Sequence, residues 1–482
     1  MRVLRTALPA LALAAVSVTA GCAVNPVTGQ RQLALISEGQ EIEMGRQVAQ
    51  EAVAAMGLVE DQALQDYVNR LGLMMARTSE RPELPWSFQV VDDPTPNAFA
   101  APGGFIFVTR GLLAMMRNEA ELMGVLGHEI GHVTARHSVT MISRAQLAQI
   151  GLGVGSIISP TVARLGDVFG GGLQLLFLHY GRDAERQADD LGFRYMLEHN
   201  YDAREMVNVF AALQRSGELA GQSAVPSWLA SHPYPEERIQ RIQQALAELG
   251  QQEALARTRV GTDDYMARID GLVFGENPRN GFFRDQLYLH PELRFRIGFP
   301  AQWRTQNTAQ AVLAVSPQQD AVMQLTLAQG TEVEAANRFF GQQGIAASQV
   351  SRQTVNGLPA TAGFFEAQTQ DGTVRGFAAF IRHDNRTYQI LGYSPAQIFA
   401  RYDPVIRGSV GSFAVLTDQS ALNVRPNRIT IVRPPQSMTL AQFNQQYPSQ
   451  VSMDHLAIIN QLSGPNATIP ANYAMKRVVT GS

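Results

Sequence analysis

His128-Glu129-Ile130-Gly131-His132 sets two imidazoles four residues apart. On an α-helix, positions i and i+4 share a face, so both rings can reach one divalent cation. Glu129 lies about 100° round the helix from His128, where it can hold a water beside that ion and take its proton. The chemistry of such a group is metal-assisted hydrolysis, with one Zn2+ per chain as the cofactor. Cys22 is the single cysteine, which excludes an intrachain disulfide and any cysteine-based zinc cluster. Further ligands must therefore come from His, Asp or Glu.

The segment Gly181-Arg182-Asp183-Ala184-Glu185-Arg186-Gln187-Ala188-Asp189-Asp190 supplies candidates. Ala184, Ala188, Leu191 and Tyr195 share a helical face, and Glu185 and Asp189 lie one turn apart beside it. One carboxylate can complete the metal site while the other takes the free ring N–H of a ligating histidine. Acidic residues on a helix are ordinarily just solvated, so the weight comes from their pairing with the two histidines. His137 follows His132 by five positions, about 500° of helical rotation, and reads as a supporting or surface residue and not as a ligand. His232, in Ser231-His232-Pro233, is a candidate fourth ligand that would keep an enzyme latent. Arg238 is a candidate partner for a carboxylate or for a developing oxyanion. Both read equally as residues of a packed loop and helix.

These groups need elements to position them. Asn118 and Glu121 form a capping pair, and Leu122, Leu126, Ile130 and Val133 follow at helical spacing. Gly124, Gly127 and Gly131 weaken that helix, by about 1 kcal/mol each relative to Ala, which calls for another backbone packed closely against it. Ser37 with Gln40 caps an earlier helix, and Leu64, Val68, Leu71 and Met75 mark a second over about 61–78. Trp86–Val91 reads as a strand. Asn97 to Thr109, with Gly103-Gly104 at its turn, reads as a hairpin leading into the histidine helix. Its Asn97-Ala98-Phe99 stretch is a candidate edge strand for an extended substrate. Residues 23–36 read as an extended arm. Residues 147–179 read as helices and a glycine loop with no convincing transmembrane helix.

The two motif segments together resemble the CAAX prenyl protease / HtpX-like zinc metallopeptidases. In that family a His-Glu-x-x-His helix is followed by a second helix bearing Glu-x-x-x-Asp preceded by Arg, and here His128, Glu129, His132, Arg182, Glu185 and Asp189 stand in those places. The resemblance implies zinc held by His128, His132 and Glu185, Glu129 as general base, and Asp189 behind a ligand. It spans about residues 23–250. Asn25-Pro26-Val27-Thr28-Gly29 resembles the periplasmic branch of beta-barrel assembly-enhancing proteases. Those proteases carry a helical repeat domain, and no such repeat follows residue 250.

The chain's 482 residues suit two or three domains. A net charge of −3 gives no reason to invoke nucleic acid. Arg2, Arg5, an apolar run and Thr19-Ala20-Gly21-Cys22 resemble a lipoprotein leader, making Cys22 a lipidated first residue. The expected organisation is α+β and multidomain: leader 1–21, a mainly helical zincin-type metallopeptidase domain 22–262 with a small hairpin sheet, an α+β domain 263–418, and a small module 419–482. Glu253–Asp270 reads as a helical linker between the first two domains. The third segment resembles PsbP/Mog1-type sandwiches, and the last, read as strand-helix-helix-strand, a LysM module. The expected protein is an extracytoplasmic zinc endopeptidase on the periplasmic face of the outer membrane, or free in the periplasm. Its partners would be envelope protein or peptide substrates, the membrane through Cys22, and peptidoglycan through the C-terminal module. The competing readings are an envelope chaperone-like protein or a peptidoglycan tether with structural zinc.

Overall fold

The computed structural model describes residues 22–152, 180–220, 228, 231–233, 235–249, 258–308, 311–369 and 372–481. Residues 1–21, read as a leader, and residues 153–179 of the glycine-rich stretch lie outside the described residues. No helix among the described residues is long and apolar enough to cross a membrane. The chain divides into two compact units. One takes most of the chain up to Gly275 together with Asn427–Thr480, and the other runs from Glu276 to Pro426. The sequence alone had put divisions at 262/263 and 418/419.

The first unit opens on a hairpin, β1 (Cys22–Val24) and β2 (Arg31–Leu33), where an extended arm was expected. Asn25 makes the difference. Its Oδ1 accepts the N–H groups of Val27 and Thr28 at 2.8 and 3.1 Å, and Gly29 takes φ +69°, so an Asx turn reverses the chain. Helix α1 (Glu38–Met56) starts on the Ser37–Gln40 capping box. Helix α2 (Gln62–Ala76) buries Leu64, Val68, Leu71 and Met75. Strands β3 (Ser87–Val91), β4 (Ala98–Ala101) and β5 (Phe105–Thr109) form a sheet of order β3-β5-β4, parallel between β3 and β5 and antiparallel between β4 and β5.

Helix α3 (Arg110–Met115) leads to α4 (Glu119–Thr134), which carries the paired histidines. Asn118 Oδ1 accepts the Glu121 N–H at 2.9 Å. Every residue of α4 is buried. After α5 (His137–Leu152) and the undescribed stretch, α6 (Arg182–Glu198) lies along α4. Glycine makes this possible: a Cβ on Gly127 would stand 3.0 Å from Gly192 Cα, and one on Gly131 3.0 Å from Ala188 Cα. Helices α7 (Glu205–Ala220) and α8 (Pro235–Glu248) close the other side. Helix α9 (Thr262–Ile269) and strand β6 (Val273–Phe274) follow. The described end of the stretch read as a linker is core: Tyr265, Met266 and Ile269 are buried on one helical face, and the Tyr265 hydroxyl donates to Leu113 O at 2.7 Å.

The second unit begins with β7 (Phe282–Arg284), β8 (Leu287–His290), β9 (Phe295–Gly298), β10 (Arg304–Asn307), β11 (Ala311–Val315) and β12 (Val322–Ala328). Helix α10 (Glu332–Phe340), starting on the Thr331–Glu334 capping box, precedes β13 (Ile345–Val355), β14 (Leu358–Thr369), β15 (Gly372–His383) and β16 (Arg386–Pro395). Helix α11 (Phe399–Ser412), β17 (Ala414–Val415) and α12 (Gln419–Leu422) complete it. The seven-stranded sheet has order β10-β11-β12-β16-β15-β14-β13, and a second sheet has order β17-β9-β8-β7. Strand β15 shows why its apolar run is continuous: Phe377, Ala379 and Ile381 join the cluster that holds α11, while Ala378 and Phe380 join the one that holds α10. Both faces are covered, so neither needs polar side chains.

The chain then returns to the first unit with β18 (Asn427–Val432), β19 (Met438–Thr439), α13 (Leu440–Gln446), α14 (Met453–Ile459), β20 (Thr468–Ile469) and β21 (Met475–Thr480). Strand β18 pairs antiparallel with both β21 and β6. The segment packs on the entry to α4. Lys476 Nζ donates to Ala114 O and Met116 O at 2.7 Å each. Arg117 donates to Asn460 O and Ala474 O at 3.2 and 2.8 Å.

Candidate metal centre

Helix α4 presents His128 and His132 toward α6, and their Nε2 atoms lie 3.0 Å apart. Glu185, in the first turn of α6, brings its carboxylate to 3.6 Å from His128 Nε2 and 3.5 Å from His132 Nε2. His232 enters just before α8, with Nδ1 3.1 Å from both His128 Nε2 and Glu185 Oε1. These four residues offer ligand atoms within 4.8 Å of one another, all buried.

The donor set fits a zinc ion. Ligand atoms on a tetrahedral zinc with bonds of about 2.0–2.1 Å sit roughly 3.3–3.4 Å apart, inside the observed spread. Nitrogen and carboxylate atoms that converge this closely, without a proton between each pair, repel unless a cation lies among them. Glu185 Oε2 and both oxygens of Glu129 are buried with no hydrogen-bond donor, a costly state for carboxylates that such an ion relieves.

The supporting contacts fix the ligands. His128 Nδ1 is 2.9 Å from Asp189 Oδ1, and Asp189 in turn accepts Arg238 Nη2 at 2.6 Å and Nε at 2.8 Å. Burial alone would raise the Asp189 carboxyl, but Arg238 and His128 carry it well below the usual carboxylate range. Arg238 is itself buried, its guanidinium 4.1 Å from the Phe210 ring centroid and 4.8 Å from that of Trp228. It also lies 3.3 Å from Glu185 Oε2. Burial, then the charges on His128, His137 and His232, push the His132 imidazole well below its ordinary value, keeping the ring neutral as a metal ligand needs. For Glu185, burial is outweighed by His232 and Arg238, which lower its carboxyl.

The sequence-based candidates thus divide. His128, His132, Glu185, Asp189, His232 and Arg238 come together, and Glu129 Oε1 stands 3.4 Å from His232 Nε2. Arg182 stays outside the group at the exposed start of α6, with Nη1 3.8 Å from Glu237 Oε2. Strand β4 is an edge of its sheet, yet Asn97, Ala98 and Phe99 are all buried, and Asn97 is tied by its backbone to Thr109. His137, read as a supporting or surface residue, has its Nδ1 2.9 Å from His132 Nδ1, and the structure adds Gln187, whose Oε1 lies 2.9 Å from His137 Nε2. It also adds Tyr180, stacked on His132 with centroids 4.0 Å apart and its hydroxyl 2.8 Å from Ser138 Oγ. Tyr180 stands alone in sequence, so no spacing could have found it.

Residues 62–246 match the family model described as Peptidase family M48. The mitochondrial metalloendopeptidase OMA1 of Schizosaccharomyces pombe is 29% identical over 232 residues, 46% of this chain and 66% of that protein. The beta-barrel assembly-enhancing protease of Yersinia pestis is 29% identical over 223 residues, 44% of this chain and 45% of that protein. The chain therefore spans less than half of that bacterial relative's length and about two thirds of the fungal one's. Among solved structures, cyanobacterial PsbP from Synechocystis (12% identity, TM-score 0.23) aligns over 29% of this chain and 98% of its own. The Ran-binding protein Mog1p of Saccharomyces cerevisiae (13% identity, TM-score 0.22) aligns over 29% of this chain and 99% of its own. At those scores the description of the second unit rests on its strand order alone.

Proposed function

We propose that this chain, which carries a domain of peptidase family M48 at residues 62–246, is a zinc-dependent endopeptidase of the bacterial cell envelope. The observation that carries the reading is the convergence of His128, His132 and Glu185 from two helices beside a buried Glu129 carboxylate that accepts no hydrogen bond. His128, His132 and Glu185 would hold the ion, and His232 the fourth position. When bound, zinc polarises the scissile carbonyl and lets a water attack near neutral pH.

The remaining work belongs to the chain's own residues. Glu129 takes a proton from the attacking water on a carboxylate oxygen. It then gives that proton to the leaving amine as the C–N bond breaks. Asp189, held by Arg238, keeps His128 oriented. His232 touches both Glu185 and Glu129, so it would occupy the open position and the general base together, a latent state released when the loop moves. Asn97, Ala98 and Phe99 are the proposed binding strand for an extended substrate, which requires that covered edge to open.

The relatives named for beta-barrel assembly support misfolded or unassembled envelope proteins as substrates. We further propose a lipid on Cys22 holding the chain to the periplasmic face of the outer membrane. For the segment Asn427–Thr480 we propose a LysM-like role toward peptidoglycan.

The test is cleavage of an unfolded protein such as casein by wild type and Glu129→Gln, with zinc measured in both. Full zinc in Glu129→Gln with activity down by roughly 10²–10⁴-fold is expected. An active Glu129→Gln protein overturns the mechanism.

A further inference from the structure

A zinc-ligating imidazole must present a bare nitrogen to the ion, and the proton on its other nitrogen fixes which one is bare. Behind His128 stands a carboxylate, Asp189 Oδ1, 2.9 Å from Nδ1, with the Arg238 guanidinium that grips it 3.1 Å from the same nitrogen. His132 has no carboxylate behind it. Its Nδ1 faces the Nδ1 of another imidazole, His137, whose Nε2 faces Gln187 Oε1.

Such a chain of hydrogen bonds has two directions. In one, His132 Nδ1–H donates to His137 Nδ1, and His137 Nε2–H donates to the Gln187 carbonyl oxygen. In the other, the Gln187 amide is flipped, each bond reverses, and the proton of His132 moves to Nε2, which points at His128 and Glu185. Only the first leaves His132 Nε2 bare. The bare Nε2 therefore requires that the amide at the end of the chain present its oxygen to His137, as it does here.

We propose that His137 and Gln187 are positioning residues that hold His132 in the Nδ1–H tautomer and so tighten the metal site. The inference rests on the reading that His128, His132 and Glu185 bind zinc. It gives α6 three tasks, since Glu185 faces the ion, Asp189 orients His128, and Gln187 orients His132 through His137. Tyr180 stacks on the His132 ring, and among the described residues His137 is the one hydrogen-bond partner of His132 Nδ1.

The experiment uses the zinc-loaded full chain. Zinc affinity is measured by competition with a chromophoric chelator for wild type, Gln187→Leu, Gln187→Glu, His137→Phe and the double variant Gln187→Leu/His137→Phe. Nitrogen-15 spectra of labelled histidine detect scalar coupling across the N–H···N bond between His132 and His137. Gln187→Leu and His137→Phe should each weaken zinc binding by about 10–100-fold. Gln187→Glu, which still accepts from His137, should keep the wild-type affinity. The double variant should lose no more than the larger single loss, because both act through one chain. The coupling should appear in wild type and Gln187→Glu and disappear in Gln187→Leu.

Wild-type affinity in Gln187→Leu, or no coupling in zinc-loaded wild type, overturns the proposal; the second readout needs no variant to fold. If wild type binds no zinc at all, it is the underlying metal site that fails.

Discussion

At the scale of single residues, the centre joins groups whose protonation states are set by neighbours. Asp189 stays ionised because Arg238 grips it, and Arg238 is tolerated in the interior because Asp189, Glu185 and two aromatic faces surround it. His232 is the one ligand candidate on a loop segment and not on α4 or α6, and it contacts both Glu185 and Glu129. His232→Ala should therefore raise the turnover of an unfolded protein substrate. A clear loss of activity in a folded His232→Ala protein would refute the capping role. Most of this constellation was legible in the sequence, because i and i+4 spacing and the Glu-x-x-x-Asp pair are local. His137 was read as a supporting or surface residue turned away from the histidine pair, and it lies against His132 for a geometric reason. Extrapolating helical rotation from His132 assumes one continuous helix, but α4 ends at Thr134, Arg136 takes φ +58°, and a new helix starts at His137. The turn brings the ring back to His132.

At the scale of elements, the α4–α6 pair decides whether the site exists. Three glycines in a helix were read as a demand for close backbone approach, and Gly127 and Gly131 meet Gly192 and Ala188. Gly131→Ala gains helix propensity of about 1 kcal/mol but presses a methyl 3.0 Å from Ala188 Cα. Overpacking against backbone costs about 1–3 kcal/mol, so thermal unfolding should come at lower temperature with weaker zinc retention. Gly39→Ala in α1 meets nothing within 4 Å and should stabilise by about 0.5–1 kcal/mol. If both variants shifted stability alike, the close-approach argument would fail. Elements whose signal was side-chain chemistry in a turn escaped notice, as with the Asn25 hairpin. The burial of α9 was missed too, because its short apolar face looks like a helical linker until α2 and α4 are there to receive it.

At the scale of the whole molecule, the C-terminal segment Asn427–Thr480 belongs to the unit that holds the candidate metal centre. Composition could not reveal that, because the joining contacts run over more than 300 residues of sequence, such as Lys476 to the carbonyls of Ala114 and Met116. Lys476→Met would orphan these buried carbonyls at about 1–3 kcal/mol each. Hydrogen exchange should then quicken in α14 and in the first turn of α4 together; quickening in α14 alone would mean the segment is a separate module. The second unit carries its own pH signature. Burial first, then the charge on Arg386, push the His290 imidazole down to about 4, and its Nδ1 accepts the Leu293 N–H at 3.2 Å. The ordinary value is about 6.5, so between these values the unfolded chain binds the extra proton. Stability is complete above about pH 6.5 and is lost as pH falls toward 4, by at most about 1.4 kcal/mol per unit. Amide exchange in β8 and β9 should accelerate over that window, and His290→Asn should flatten the response.

The most direct test of the account is zinc per chain, measured by elemental analysis on the folded full-length protein and its Glu185→Ala variant after dialysis against a weak chelator. The account expects one zinc in the wild type and near none in Glu185→Ala. Equal zinc in the two proteins, or none in either, would contradict it.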